Sequence, residues 1–339
     1  MSRQTLVLAA KVAIGALLIG WLVRSGTLDF AALAVFVERP ALLIANLAVF
    51  AGTTVLGALR WRLLLRLAGV YLPVGRALQL AFTAVFFNVV APGNIGGDII
   101  KSIYVAREVA PERRTAVFVI AFLDRLLALA GLVAVAAVLT LARGGTAWAD
   151  PRLRELSGAI VVLVVATFGA PILLLVIVRH AGPRLEARIR GTSVLGKILA
   201  QLVASARLVS AGPRSLVIAL GLAIATHLAG IVLFAALATA ITAQDISVSS
   251  MASVYPLGML TMVLPISYAG FGVGHVAFDQ LFAMVGLTGG ATVLNVYLIG
   301  QIVPCLLGVI PYLTLKRSAA PPTAVELGGE PGVQPGTQP

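Results

Sequence analysis

Charged residues are scarce in this sequence. They make up 11% of the 339 residues, against roughly a quarter in soluble domains. With 60% of residues hydrophobic, a soluble globular class is excluded. Cysteine is nearly absent. The single copy, Cys305, rules out an internal disulfide, and its apolar surroundings mark it as a small buried hydrophobe. Histidine occurs only at positions 180, 227 and 275. That set is too sparse for a metal centre, so neither a metal nor another cofactor is expected. There is no Gly-x-Ser-x-Gly elbow, no Cys–His pair and no paired-carboxylate motif on a soluble loop, so no catalytic motif argues for an enzyme. The stretch PGNIGGD lacks the Gly-Lys-Ser/Thr ending of a nucleotide P-loop. Strict polar–apolar alternation is missing from stretches such as 156–178, which argues against a β-barrel.

Long apolar runs are what the chain has instead. They recur from Thr5 to Leu315, and several reach the roughly 20 residues that span a bilayer. The expected class is an all-α polytopic membrane protein with about eight hydrophobic elements. These are 5–23, 41–59, 77–92, 115–142, 156–178, 215–242, 251–287 in broken form, and 289–315. The first run carries Lys11, is followed directly by Arg24 and lacks a small-x-small site, so it reads as an uncleaved span with Lys11 snorkelling. Segments 60–76 and 179–213 are basic with interspersed apolar residues, and read as amphipathic helices on the cytoplasmic surface. Residues 1–317 form the integral membrane domain. Residues 318–339, rich in Pro, Gly and Thr, read as a disordered cytoplasmic tail. No soluble catalytic domain fits in any loop.

The net charge of +12 sits mainly in short loops between apolar spans. That pattern points to anionic membrane lipids as partners rather than nucleic acid. It also discriminates between topologies. If every element crosses once, the best orientation places 13 loop Lys/Arg inside and 10 outside, barely a bias. If 77–107 enters and returns from the cytoplasmic side, and 251–287 does so from the outer side, 18 fall inside and 5 outside. The second arrangement fits the positive-inside rule, with both termini cytoplasmic in the cell membrane. It also implies weak inverted symmetry, a feature of transporters.

Both broken elements carry the residues that break helices. In 88–107, NVVAPGNIGGDIIKSIYVAR, Pro92 removes a donor while Gly93, Gly96 and Gly97 permit a tight turn. Irregular backbone at membrane depth needs protein or a water-filled cavity around it. A helix starting near Gly97 would present free amides to an anion such as a lipid phosphate; alternatively, Asp98 simply caps that helix. Asp98 and Lys101 share a face. Asp124 and Arg125 lie inside the next span, where unpaired charge is costly. The economical pairing across the hairpin is Asp98 with Arg125 and Lys101 with Asp124. It makes either a structural ion network or a polar cavity for a headgroup. In LPISYAGFGVGHVAFDQ, 264–280, the breakers are Pro265, Gly270, Gly272 and Gly274, and His275 and Asp279 are spaced to hydrogen-bond. Asn46, Asn88, Asn295 and Gln301 read as helix-to-helix glue, and His227 as a packed, hydrogen-bonded histidine.

On these residues the sequence resembles the flippase-like transmembrane region of lysylphosphatidylglycerol synthases and their stand-alone relatives. The family pattern is Asn, Pro-Gly-x-x-Gly-Gly-Asp, a basic residue, then Asp-Arg in the next span. It is matched by Asn88, Pro92-Gly93, Gly96-Gly97-Asp98, Lys101 and Asp124-Arg125. A later Pro-x-Ser and Gly-x-Gly pattern is matched by Pro265, Ser267, Gly270 and Gly272. Asn94 stands where the family often has Arg, and Gly274-His275 where Arg-Glu is usual. The synthases' aminoacyltransferase domain is absent from these residues, so the resemblance implies lipid translocation rather than aminoacylation. The two opposed breaks and the buried charges place a lipid phosphate near the tips of the broken elements, with Asn88, Pro92, Gly93, Asn94, Gly96, Gly97, Asp98, Lys101, Asp124, Arg125, Ser267, Gly270, Gly272 and His275 as candidate headgroup residues.

The leading expectation is therefore a flippase for a phospholipid or another phosphate-bearing anionic lipid. Two alternatives stand beside it. One is a membrane enzyme of lipid or polyprenyl-phosphate glycan modification. The other is an anchor subunit for a separate lipid-modifying enzyme. A homo-oligomer is compatible with each.

Overall fold

The computed structural model describes residues 34–90, 96–142, 158, 160–169, 180, 212–263 and 273–315. Among them, all regular structure is helical. A short α1 (Ala34–Glu38) leads into the 28-residue α2 (Pro40–Leu67). Pro40 opens α2 at a position where its missing N–H has no intrahelical partner to lose. Proline also opens α5 (Pro111–Ala142) and α6 (Pro213–Thr242). Near the C-terminal end, α9 (Gly290–Leu306) and α10 (Val309–Thr314) meet at a joint just past Pro304. Among the described residues, four helical stretches are long and apolar enough to cross a bilayer: α2, Pro111–Leu139 of α5, α6, and Gly290–Thr314.

Four shorter helices form two hairpins. In the first, α3 (Val74–Val90) packs on α4 (Gly96–Glu108). In the second, α7 (Val248–Val263) packs on α8 (Val273–Met284). The arms have 17, 13, 16 and 12 residues. At 1.5 Å per residue even the longest reaches only ~25 Å, short of the ~30 Å hydrocarbon core. Each hairpin is drawn tight by a glycine. A Cβ on Gly97 would lie 2.0 Å from the Ala84 carbonyl oxygen, and one on Gly258 would lie 2.4 Å from the Phe278 ring.

Two apolar cores hold the bundle. One gathers Trp61, Leu64 and Leu65 of α2, Leu80 of α3, Val105 of α4, and Val117 and Ile120 of α5. The other centres on Phe234, Phe278 and Phe282, with Val293 from α9 and Leu132 from α5. The long helices α2, α5 and α6 run past both. Outward-facing Ile44, Phe122, Val217 and Val232 are exposed. On a membrane protein such residues meet lipid, where an apolar surface costs nothing.

The sequence expectations fare unevenly. The elements at 41–59, 77–92, 115–142, 215–242 and 289–315 appear as helices close to those bounds, and 251–287 appears as two arms. Element 156–178 is seen only in part, ending in a π-helical turn at Val165–Gly169. The run 5–23, segment 179–213 apart from His180, and the tail 318–339 lie outside the described residues. One expectation is corrected. Segment 60–76 is not a separate surface helix: α2 continues unbroken to Leu67, and the chain then turns through 68–73 into α3. The turn is held by Arg62, whose Nε donates to the Leu72 carbonyl at 2.6 Å, and by Arg113, which donates to the Gly69 carbonyl. Arg62 and Arg113 therefore bind backbone carbonyls of the turn.

Candidate functional site

Between the two cores lies a cavity of about 620 Å³, walled by α2, α3, α4, α5 and α6, with Gln301 of α9. Its charged lining is Arg60, Asp98, Lys101, Asp124 and Arg125. These five side chains come from three helices and form one continuous ladder. Arg60 Nε donates to Asp124 Oδ1 at 2.6 Å. Lys101 Nζ lies 3.7 Å from the other Asp124 oxygen and 2.7 Å from Asp98 Oδ1. Arg125 donates through Nε to Asp98 Oδ2. Cation and carboxylate thus alternate from Arg60 to Arg125.

Helix geometry explains the order. Asp124 and Arg125 are neighbours on α5, about 100° apart around its axis. One turns toward α2 and the other toward the start of α4. Asp98 and Lys101 are three apart on α4, so both face α5. Low-dielectric surroundings make any unpaired member costly, so every charge in the ladder has an opposite partner. Lys101 has a further contact: its Nζ lies 4.8 Å from the centroid of the Trp61 ring, a cation–π approach.

The ladder is not charge-balanced. Three cations face two carboxylates, leaving one excess positive charge at the cavity wall. Nor is it evenly buried. The side chains of Arg60, Lys101 and Asp124 are 9%, 9% and 7% exposed, whereas Arg125 is 38% exposed. Removing Arg125 from Asp98 leaves that carboxylate on Lys101. Removing Arg60 from Asp124 leaves only the longer Lys101 contact. The ladder therefore has a buried, structural end at Arg60 and an accessible end at Arg125.

Both expected pairings, Asp98 with Arg125 and Lys101 with Asp124, are present. Asn88 also takes part, but as a cap. Its Oδ1 accepts the Gly97 N–H at 2.8 Å, linking the hairpin arms and occupying an amide expected to be open to an anion. Gly96 and Gly97 begin α4 behind it. Arg60 is the member that sequence reasoning missed. The sequence places it at the start of the basic surface segment 60–76; in the structure it lies inside α2 and is buried. Moving it leaves the positive-inside bias intact. His227 Nε2 donates to the Ala128 carbonyl oxygen at 3.0 Å, linking α6 to α5, and His227 also lines the cavity. Asn46 and Gln301 do bridge helices, with Gln301 Nε2 donating to Asn46 Oδ1 at 2.9 Å and Asn46 Nδ2 to the Gly300 carbonyl at 2.6 Å.

The expected residues at the two breaks are mostly out of view. Pro92, Gly93, Asn94, Ser267, Gly270 and Gly272 lie outside the described residues. His275 begins α8 and is not among the described residues that line the cavity. Asp279, one turn on, accepts the Ala291 N–H at 2.7 Å and so caps the start of α9. Among the described residues, no three His, Cys, Asp or Glu side chains cluster as metal ligands.

No curated protein and no solved structure matches the chain. A family model does. Described as the lysylphosphatidylglycerol synthase TM region, it matches residues 8–311, which include both hairpins and the whole charge ladder. With membrane-length helices, a hairpin closed by Gly97 and the Asp98–Arg125 pairing in place, the chain belongs to the lysylphosphatidylglycerol synthase TM region family.

Proposed function

We propose that this protein moves a phosphate-bearing anionic lipid between the leaflets of the cytoplasmic membrane. In this reading both hairpins are re-entrant, from opposite faces, and both termini are cytoplasmic. The carrying observation is the cavity of about 620 Å³ among membrane-length helices, lined by a charge ladder with one cation in excess. A single excess positive charge suits a phosphodiester, which carries one negative charge. Membership of a family named for a lipid synthase agrees with a lipid as substrate.

The residue roles follow from burial. Arg125 is the cation that meets the headgroup phosphate. It is the most exposed member of the ladder, and Asp98 keeps Lys101 when Arg125 turns to a ligand. Lys101 sets the local potential and holds Asp98 and Asp124 together. Arg60 locks Asp124. Asn88 and Gly97 keep the hairpin closed. Gly96 opens α4 at that hairpin, and Pro92, Gly93, Asn94, Ser267, Gly270, Gly272 and His275 are assigned to the two breaks on their place in the sequence. A headgroup passing through such a cavity stays out of the hydrocarbon, whose cost for charge is the barrier to unaided flipping.

The test is reconstitution of the purified protein in liposomes with fluorescent phosphatidylglycerol, followed by quencher access to the inner leaflet. Protein-dependent exchange that Arg125→Gln abolishes is expected. Exchange that persists in folded Arg125→Gln would overturn the assigned role. No exchange, together with chemically altered lipid, would favour an enzyme instead.

A further inference from the structure

Beside the charged cavity lies a second, smaller one of about 220 Å³ between α1, α2 and α9. Its lining is apolar apart from Asn46, and includes Leu43, Leu47 and Val303. Those three are 40%, 41% and 39% exposed, so the groove opens on the lipid-facing side of membrane-length helices. The two cavities share a wall. Gln301 lines the charged one and Asn46 and Gly300 line the apolar one. Gln301 donates to Asn46, and Asn46 donates to the Gly300 carbonyl. The wall is therefore one amide pair, Asn46 buried and Gln301 half-buried, polar on the side of the ladder and flanked by apolar side chains on the other.

We infer that the apolar groove seats one acyl chain of the lipid whose headgroup occupies the charged cavity, with the Asn46–Gln301 pair as the partition between head and tail. This rests on the translocase reading and adds a tail site to it. The occupant is argued from position. A groove open to the bilayer on spanning helices is filled by hydrocarbon. Its contact with a cavity bearing excess positive charge makes that hydrocarbon part of an anionic amphiphile. The amide pair suits the boundary because both amide atoms of Asn46 are hydrogen-bonded and neither side chain presents charge to the tail.

The experiment uses the full chain in liposomes containing phosphatidylglycerol with a diazirine on one acyl chain. After irradiation, adducts are mapped by mass spectrometry. Adducts at Leu43, Leu47 and Val303 are expected well above those at Val217 and Val232, which are exposed on α6 away from the groove. Leu47→Trp, which fills the groove from an exposed position, is expected to remove most groove adducts and to slow lipid exchange by about tenfold. Equal labelling of α6 and the groove would overturn the inference. So would unchanged exchange in Leu47→Trp alongside abolished exchange in Arg125→Gln, an outcome that leaves the translocase reading standing. If wild-type protein exchanges no lipid, that reading fails, while the adduct map still decides whether the groove holds a tail. Crosslinks between groove positions and residues 5–23 in place of lipid adducts would assign the groove to the chain itself and also overturn it.

Discussion

The two hairpins are built from the same vocabulary and filled with different chemistry. Each has two short arms, a proline- and glycine-rich break, and a glycine pressed against the opposite arm. Around the first, α4 turns Asp98 and Lys101 toward Asp124, Arg125 and Arg60. Around the second, α8 turns Phe278 and Phe282 toward Phe234, which also meets Tyr255 and Tyr297 edge-on. The Tyr255 and Tyr297 hydroxyls hydrogen-bond to each other at 3.0 Å. Among the described residues, the helices beside the two breaks therefore present different chemistry. Here the first hairpin borders the charged cavity and the second anchors the apolar core.

That contrast can be broken at either end. The largest effects are expected deep in both hairpins. Phe278→Ala empties the aromatic cluster and is expected to cost about 3–5 kcal/mol, read by unfolding in mixed micelles of rising SDS fraction. Arg60→Met leaves Asp124 with only the longer Lys101 contact, and a loss of similar size, about 3–5 kcal/mol, is expected. Arg60→Met with Asp124→Leu should recover much of it, because no buried carboxylate is then stranded. If the single Arg60 variant were as stable as wild type, the buried end of the ladder would not be structural.

Gly97→Ala comes next. The added methyl meets backbone, which cannot rotate away, and overpacking of about 1–3 kcal/mol is expected, with looser pairing of the hairpin arms. A disulfide across the arms that forms equally fast in the variant would argue against this. Arg125→Gln is expected to change stability by less than about 1 kcal/mol, since the side chain is partly exposed, yet to abolish exchange. This split between stability and transport is what separates the two ends of the ladder. The smallest effect is expected for His275→Ala. It should slow exchange less than Arg125→Gln does, because His275 does not line the charged cavity. An equal loss would mean that the second hairpin takes part directly in headgroup passage.

Much of this was legible in the sequence. The paired charges were readable because ionised groups inside apolar spans must find partners, and few were available. Asp98 had Arg125 within reach, and Lys101 had Asp124. Arg60 was not readable. It lies between Leu59 and Trp61 near a run of loop-like arginines, and only the unbroken path of α2 carries it inward. His227 was read as a packed histidine, and its bond to Ala128 agrees, but its place on the cavity wall depends on how α6 rotates against α5. Asn88 was read as glue and acts as a cap, since the arm it meets begins at its Gly97 amide rather than at a neighbouring side chain.

By itself the sequence determined the membrane class, the helical secondary structure, the position of the breaks and the need for internal charge pairing. All of these follow from hydropathy, backbone chemistry and the cost of charge in hydrocarbon, which act locally. Only the tertiary structure decided that Arg60 completes the ladder, that Arg125 is its accessible end, and that one amide pair divides a charged cavity from an apolar groove. Those outcomes depend on the rotation and depth of whole helices against one another, and such relations are set by packing across the bundle rather than by any stretch of neighbouring residues.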